Sequence, residues 1–344
     1  MDNIKQNYTT VDAAKMFFCM CVVAFHANAP SFPSPIDYGY MLEKMIFRLS
    51  VPFFFVISGF FFGRKAFSDL AALKCTTRKF FLRMIPPLAV YSVLNGFCDY
   101  IKITAQEQKS AWQAIYTIIR HALFFPRGGL WYLQASVVAV LLLYVFIKRD
   151  KLWLALIISG TLYAGSLLGN TYYFLLDGTP FRCIADKYLE IFLTVRNGLF
   201  TGFFFMGAGA ALGRYNLTVK TKWIITVGII SYATLFLETI YTYNKRTADQ
   251  HSHFLSYMVL IPAIASLCLR FNMTLPLPYV RLRMLSAGIF FLHTPVMSTV
   301  GAAGIVLGIS VSDNLKFLAA FTVSAGICLL AYKSKIRFLI KLTS

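Results

Sequence analysis

Charged side chains are scarce in this chain of 344 residues, where they make up 14% of the sequence. An average soluble domain contains about 25% charged residues. Hydrophobic residues account for 58%, and the mean hydropathy is +0.65. So few charges exclude an ordinary soluble domain, and the composition predicts a polytopic membrane protein embedded in a lipid bilayer.

Acidic residues are scarcer than basic ones, with 14 Asp and Glu against 33 Lys and Arg and a formal net charge of +19. Such an excess can indicate nucleic-acid binding. Here, however, the basic residues are spread over short loops between apolar runs, and no DNA- or RNA-binding motif accompanies them. We therefore expect no nucleic-acid partner, and we interpret the positive charge as a signal of membrane topology.

Metal-binding spacings and disulfide patterns are also absent. The sequence contains no CxxC or HExxH motif, so we predict no bound metal. Most of the seven cysteines fall in apolar runs or in a cytoplasmic connection, which leaves only Cys98 and Cys183 to meet outside. The longest connections are residues 102–129 and 170–197, and no internal repeat stands out. The chain is therefore predicted to be a single transmembrane domain over residues 1–344.

Ten apolar runs are present that are long enough to cross the hydrocarbon core of a bilayer. They predict an all-α fold of about ten transmembrane helices, at residues 11–29, 44–62, 84–101, 130–147, 152–169, 198–213, 222–241, 254–270, 284–306 and 315–332. A further apolar segment, residues 112–125, is too short to span and is expected to lie in the interface.

The distribution of Lys and Arg between alternate loops predicts the orientation. An N-terminus on the inside places the larger share of basic residues in cytoplasmic loops, including Arg64, Lys65, Lys74, Arg78, Lys79 and Arg83 in one connection. The opposite loops carry fewer basic residues, although the asymmetry is modest. Both termini are therefore predicted to be cytoplasmic.

Lys15 and His26 stand out in the first apolar run, which otherwise carries only Asp12. Their separation of eleven residues corresponds to about three helical turns, so both side chains lie on one stripe of a helix, about 16 Å apart. Asp12 is positioned to pair with Lys15 on the same face. Ionisable groups inside membrane helices usually face a bundle interior or an aqueous cavity, which favours a functional site. The alternative is that Lys15 snorkels to one interface and His26 lies in the other.

The same segment also admits a second interpretation. A Lys-bearing start, the apolar run Phe17 to Phe25 and the small residues Ala27 and Ala29 resemble a cleavable signal peptide. Cleavage would remove both Lys15 and His26. The charges inside the segment and the spans that follow favour a retained first helix.

Glu238 and His293, which also fall within predicted spans, are two further candidates. Glu238, near the outer end of the seventh span, is a candidate partner for His26 or for a substrate hydroxyl. The alternative is that Glu238 is an interfacial residue close to Lys245 of the outer loop. His293, near a proline in the ninth span, favours a structural hydrogen-bonding role.

Several short segments occur in the order known from one membrane enzyme family. The first helix has a basic residue at Lys15, ten further residues, and then His26. The other segments are PFFFVISGF at 52–60, RKFFLRMIP at 78–86, LWYL at 130–133, RNGLF at 196–200 and FLHTP at 291–295. Each segment is a weak signal alone. Together, along nearly the whole chain, they resemble the membrane acyltransferase 3 family.

The resemblance implies transfer of an acyl group, usually acetyl from cytoplasmic acetyl-CoA, to a sugar hydroxyl of an envelope glycan or its lipid-linked precursor. It assigns the catalytic role to His26 and an accompanying role to Lys15. The family more often has arginine at the position of Lys15, and lysine offers a point charge where arginine offers a rigid fork. The implied location is the cell membrane, most simply the bacterial cytoplasmic membrane, and a homo-oligomer is compatible with the sequence.

The basic cluster before the third span is the predicted binding site for the phosphates of CoA. Its members are Arg78, Lys79 and Arg83. Lys79 and Arg83 are four residues apart and share a helical face. The alternative is that this cluster only reports the positive-inside rule, which holds in most polytopic proteins.

The chemistry of acyl transfer gives independent support for His26. A sugar hydroxyl is a poor nucleophile at neutral pH, and imidazole is the side chain best suited to remove its proton. His26 is predicted to act as this base, or alternatively as a nucleophile that carries the acyl group. Two other classes stay open: a transporter or flippase, which also uses intramembrane ionisable residues, and a membrane scaffold in which the pair is structural.

Overall fold

The computed structural model describes residues 7–29, 38–105, 107–215, 219–273 and 278–334, and these ranges contain helices and loops but no strand. The predicted all-α fold class is confirmed. The helices are α1 Thr9–Ala27, α2 Tyr38–Met45, α3 Ser50–Ala66, α4 Leu70–Ala105, α5 Ala111–Phe124, α6 Leu130–Ile147, α7 Leu152–Ser166, α8 Phe181–Phe192, α9 Phe203–Tyr215, α10 Thr221–Thr242, α11 Tyr257–Arg270, α12 Tyr279–Val306 and α13 Asp313–Lys333.

Eight helical stretches in the described ranges are long and apolar enough to cross a membrane. They are Thr9–Ala27, Tyr38–Ala66, Leu70–Ala105, Leu130–Ile147, Leu152–Gly169, Thr221–Thr242, Tyr279–Gly304 and Asp313–Lys333. Each of these stretches overlaps one of the ten predicted spans. The protein is therefore a multi-pass membrane protein, and the orientation of its termini stays a prediction.

The other two predicted spans form shorter helices. The run at 198–213 begins with a π-helical turn, Gly198–Gly202, and continues as the 13-residue α9. The run at 254–270 becomes the 14-residue α11, because the chain from His251 to Ser256 is used in a loop that closes against other elements. These helices are shorter than a bilayer-crossing helix of about 20 residues.

Glycines bring α3 and α9 together at the centre of the bundle. A Cβ atom added at Gly209 of α9 would overlap the carbonyl oxygen of Val56, and one added at Gly59 of α3 would overlap the carbonyl oxygen of Met206. The two backbones therefore lie in direct contact. Because lipid tails provide no hydrophobic driving force between helices, close packing of small residues is a main source of helix association in membranes.

The first helix is fixed by an ion pair with α12. Both carboxylate oxygens of Asp12 accept hydrogen bonds from Arg283, at 2.9 Å from Nε and 2.6 Å from Nη2. Asp12 was expected to pair with Lys15, and the structure gives it a different partner. A bidentate guanidinium satisfies both oxygens of a buried carboxylate at once, which an ammonium group does not.

We predict that Gly209→Ala destabilises the protein by at least about 2 kcal/mol, because the new methyl group forces apart two backbones already in contact. Gly326→Ala in α13 is the matched control, since an added Cβ there meets nothing within 4 Å. Unfolding of the purified proteins in detergent measures the difference. Equal stability of the two variants would contradict this packing.

Candidate active site

A cavity of about 620 Å³ lies where several helices end. Its wall consists of the C-terminal part of α1, α2 with the start of α3, the end of α5 with the connection into α6 and the start of α6, and parts of the segments 193–201 and 250–253. We call it the His26 cavity. Its volume is within the range of small-molecule sites, which is about 300–1,000 Å³.

Histidines are concentrated at this cavity. The chain contains five of them, and four line the wall: His26, His121, His251 and His253. The fifth, His293 of α12, lies beside His26 with 5.1 Å between the ring centroids. Imidazole is the usual general acid or base in enzymes, so this end of the bundle is the candidate active site.

His26 lies in the last turn of α1, which ends because Asn28 adopts a left-handed conformation with φ of 54°. The side chain of His26 is exposed to the cavity. Among the described residues, none makes a hydrogen bond to its ring. Both ring nitrogens are therefore available to a ligand, whereas His293 is held by the Ile289 carbonyl, 3.2 Å from its Nδ1.

Two cations from the α2–α3 segment share one carboxylate at the cavity wall. Lys44 donates to Oε1 of Glu43 at 2.7 Å, and Arg48 donates to the same oxygen at 2.8 Å from Nε. Arg48 also donates from Nη2 to the side-chain oxygen of Gln250 at 3.1 Å. Its guanidinium lies 4.2 Å from the ring centroid of Phe25, which holds it beside the last turn of α1.

A third cation, Arg196, is fixed by Asp249. Nε and Nη2 of Arg196 donate to the two carboxylate oxygens, each at 2.8 Å, and Thr194 donates a further hydrogen bond at 2.5 Å. Burial acts to raise the pKa of Asp249, but Arg196 and these hydrogen bonds outweigh it and hold the pKa below its ordinary value. The carboxylate is therefore ionised at neutral pH, and the pair is rigid.

The loop that carries Asp249 and His253 is held by Asn170. The Asn170 side-chain oxygen accepts the backbone N–H groups of Ser252 and His253, each at 2.9 Å. Its amide group donates to the Ser252 hydroxyl at 2.8 Å and to the Asp249 carbonyl at 3.2 Å. One side chain therefore satisfies four groups of a loop that is about 80 residues away in sequence.

His253 is buried at the wall of the cavity with only one of its ring nitrogens bonded. Nε2 lies 3.1 Å from the hydroxyl of Thr201. Burial, with the nearby charge of Arg196 in the same direction, lowers the pKa of His253 to about 3. The ring is therefore neutral at physiological pH.

Lys15 lies outside the lining of the His26 cavity. Its side chain is half-buried, and its ammonium group lies 5.5 Å from the ring centroid of Phe61. Arg83 of α4 is within electrostatic range of Lys15. The structure therefore brings Lys15 together with Arg83, a predicted donor-binding residue, and separates it from His26.

The predicted CoA-binding cluster lies along α4. Arg78, Lys79 and Arg83 are all exposed, and none of them lines the His26 cavity. Of the three, Arg83 is the one that interacts electrostatically with Lys15. These cations are available to an anionic molecule that approaches α4.

Glu238 has a position unlike the one expected for a partner of His26. Its carboxylate accepts from the Tyr172 hydroxyl at 2.5 Å and from the backbone N–H groups of Leu255 and Ser256 at 2.6 and 3.1 Å. The first N–H groups of a helix have no acceptor within that helix, and Glu238 supplies one at the start of α11. The structure does not bring Glu238 into the lining of the His26 cavity.

Arg48, Arg196 and His253 had no role assigned from the sequence. Lys44 and Arg48 both fall in the predicted second span, and two cations inside an apolar run were a usable signal of a polar cavity. Arg196 was visible only as the first residue of a family-like segment. The metal prediction stays untested, although no group of three or more His, Cys, Asp or Glu side chains suited to a metal occurs in the described residues.

Comparisons with known proteins identify the family of this chain. A family model described as an acyltransferase domain matches residues 8–333. An amino-acid racemase from Enterococcus faecalis is 25% identical over 264 residues, which cover 75% of this chain and 35% of the relative. A serine/alanine racemase from Enterococcus gallinarum is 25% identical over 280 residues, covering 76% and 37%.

The chain thus spans about a third of the length of these curated relatives. No solved structure matches this chain. Because the family model covers nearly all of the sequence, the chain belongs to the membrane acyltransferase family that this domain defines.

Proposed function

We propose that this protein is an integral membrane O-acetyltransferase that moves an acetyl group from acetyl-CoA to a hydroxyl of an envelope glycan or a lipid-linked sugar. The observation that carries the proposal is His26, whose ring faces a cavity of about 620 Å³ and makes no hydrogen bond with the described residues. The expected setting is the bacterial cytoplasmic membrane.

In the direct mechanism, His26 acts as a general base. A ring nitrogen of His26 accepts the proton of the acceptor hydroxyl, and the oxygen attacks the thioester carbonyl of acetyl-CoA. The carbon–sulfur bond breaks, and the imidazolium returns the proton to the thiolate of CoA. Base catalysis of this kind contributes about 10²–10⁴-fold to a rate.

In the alternative mechanism, His26 carries the acetyl group. Its nitrogen attacks the thioester, and CoA leaves as the thiol with the proton from the ring. The acceptor hydroxyl then attacks the acetyl-imidazole, and its proton returns to His26. Both mechanisms need an unoccupied ring nitrogen, which His26 has.

The donor is proposed to bind from the side of Lys15. CoA carries several phosphates, and Arg78, Lys79 and Arg83 offer positive charge along α4. Arg83 also lies within electrostatic range of Tyr132, which belongs to a row of side chains that ends beside His26. Ser58 and Tyr132 are hydrogen-bonded at 2.6 Å, and the rings of Tyr132 and Phe290 are 5.7 Å apart.

Phe290 completes this row, since its ring lies 6.1 Å from the ring of His293, the neighbour of His26. Because these side chains are in contact, an acetyl group that enters beside Lys15 reaches the cavity only when they move apart. The separation of Lys15 from His26 then suits a donor and an acceptor that approach from opposite sides.

Transport of a small polar substrate is the second candidate function. Ionisable groups line a cavity inside the bundle, and the relatives carry names for the racemisation of amino acids, which involves no acyl transfer. Substrate flux that survives His26→Ala, without any acetyl transfer by the wild type, would favour transport and contradict the acetyltransferase.

We predict that His26→Ala lowers acetyl transfer at least about 100-fold, because it removes the proposed base or carrier. The measurement is incorporation of label from radiolabelled acetyl-CoA into envelope glycans, with membranes that contain equal amounts of each variant. Met20→Ala is the matched control, since Met20 is an exposed residue of the same helix. Full labelling by His26→Ala would rule out both mechanisms.

Lys15 is predicted to act through its charge. Lys15→Arg is expected to retain acetyl transfer, whereas Lys15→Glu is expected to abolish it, because a carboxylate beside Arg83 repels an anionic donor. The same labelling assay compares the two. Equal activity of Lys15→Glu and the wild type would remove Lys15 from the mechanism.

Arg83→Gln is predicted to raise the KM for acetyl-CoA about 10-fold with little change in kcat, the effect of losing one charge-assisted hydrogen bond. The control is Lys74→Gln, an exposed cation near the start of the same helix. Initial rates over a range of acetyl-CoA concentrations give both constants. An equal rise in the control would show that general surface charge, rather than Arg83, attracts the donor.

A further inference from the structure

The His26 cavity has more positive than negative charge at its wall. Its lining includes one carboxylate, Glu43, and four cations: Lys44, Arg48, Arg127 and Arg196. Two of the cations have their own carboxylates behind the wall, because Arg196 pairs with Asp249 and Arg127 pairs with Asp99 at 3.1 Å. Lys44 and Arg48 are left to share Glu43. Among the described residues, one positive charge is therefore uncompensated.

An unpaired charge inside a membrane protein is costly, and it is stabilised by a ligand of opposite sign. Guanidinium groups bind carboxylates and phosphates particularly well, because their planar N–H donors match the spacing of the oxygens. The charge balance of the wall thus favours an oxyanion over a neutral group at this point of the cavity.

Arg48 and Arg196 each have one guanidinium nitrogen, Nη1, that is available to a ligand. Arg48 uses Nε and Nη2 for Glu43 and Gln250, and Arg196 uses Nε and Nη2 for Asp249. Within the part of the chain that the structure describes, Nη1 of neither residue makes a hydrogen bond. Both guanidinium groups lie within electrostatic range of His26 and of each other.

The same two groups are held in place before any ligand arrives. Arg48 lies over the ring of Phe25 at 4.2 Å, and Arg196 lies over the ring of Phe125 at 4.7 Å. Glu43 and Asp249 hold the opposite sides of these two guanidinium groups. Little side-chain entropy is therefore lost when an anion binds, which favours affinity.

Two buried histidines at the wall provide a second, independent indication of a ligand. Nε2 of His251 and Nδ1 of His253 are buried and have no hydrogen-bond partner among the described residues. The two residues are 6% and 2% exposed, and both line the cavity. Buried polar atoms in native structures nearly always have a partner, so a polar ligand is the expected one.

We propose that the acceptor bound in the His26 cavity carries an oxyanion, a carboxylate or a phosphate, and that Arg48 and Arg196 hold this group while a neighbouring hydroxyl meets His26. This inference rests on the proposed function and narrows its acceptor to anionic sugars. A carboxylate belongs to a uronic acid within a glycan, whereas a phosphate belongs to a lipid-linked precursor.

Binding of paired sugar probes tests the inference without acetyl-CoA. The protein is purified in nanodiscs, and dissociation constants are measured for methyl glucuronide, glucose 1-phosphate, methyl glucoside and inorganic phosphate. At least one anionic sugar is expected to bind about 10-fold more tightly than methyl glucoside, the gain from one charge-assisted contact. Preference for methyl glucuronide indicates a glycan acceptor, and preference for glucose 1-phosphate indicates a lipid-linked one.

Substitutions at the wall of the His26 cavity test whether its cations cause the preference for an anionic sugar. Arg48→Gln is expected to reduce it to less than about threefold. Arg48→Lys is expected to retain only part of it, because lysine keeps the charge but not the planar donors. The matched control Arg246→Gln, an exposed cation outside the lining, is expected to leave it unchanged. Lys44→Gln removes the same excess charge and replaces Arg48→Gln if that variant does not fold. Equal binding of charged and neutral sugars by the wild type would overturn the inference.

Two further outcomes separate this inference from others. Inorganic phosphate that binds as tightly as the preferred anionic sugar would also overturn it, because the site would then recognise a free ion rather than a sugar. His26→Ala is expected to keep the preference for the anionic sugar. The preference therefore stands or fails independently of acetyl transfer, which the labelling assay reports.

Discussion

The pairing of buried carboxylates governs the arrangement of this bundle. Asp12 binds α1 to α12 through Arg283, and Asp249 fixes Arg196 at the wall of the His26 cavity. Glu238 receives the N–H groups at the start of α11. Because an unpaired charge in a low-dielectric interior is costly, these contacts constrain the helices at the same time as they build the polar site.

Two regions along α1, one at Lys15 and one at His26, are proposed to serve different substrates. Lys15 lies within electrostatic range of Arg83, where an anionic donor is proposed to bind, and His26 lies about three helical turns away in a cavity. Phe290 contacts both Tyr132 and His293, and His293 is the neighbour of His26. One helix thus sets the distance between the proposed donor and acceptor regions, while the close α3–α9 contact holds the bundle around it.

Much of this fold was predictable from apolar runs, because eight of them form membrane-length helices. His26 was predictable as an imidazole within such a run. The cavity wall was not predictable, because it depends on Asn170, which holds the loop of Ser252 and His253 across some 80 residues of sequence. Glu238 shows a different limit. An intramembrane carboxylate indicates that a partner exists, but the sequence does not show that the partners are the Tyr172 hydroxyl and two backbone N–H groups.

The central claim is that an acetyl group passes from CoA to a sugar at His26, with donor and acceptor on opposite sides. Proteoliposomes with acetyl-CoA outside and envelope glycans from cells that lack the protein enclosed inside test it directly, with mass spectrometry of the enclosed glycans as the readout. The account predicts glycans heavier by one acetyl group with the wild type and unmodified glycans with His26→Ala. Unmodified glycans with the wild type, from vesicles shown to be intact and correctly oriented, would contradict it.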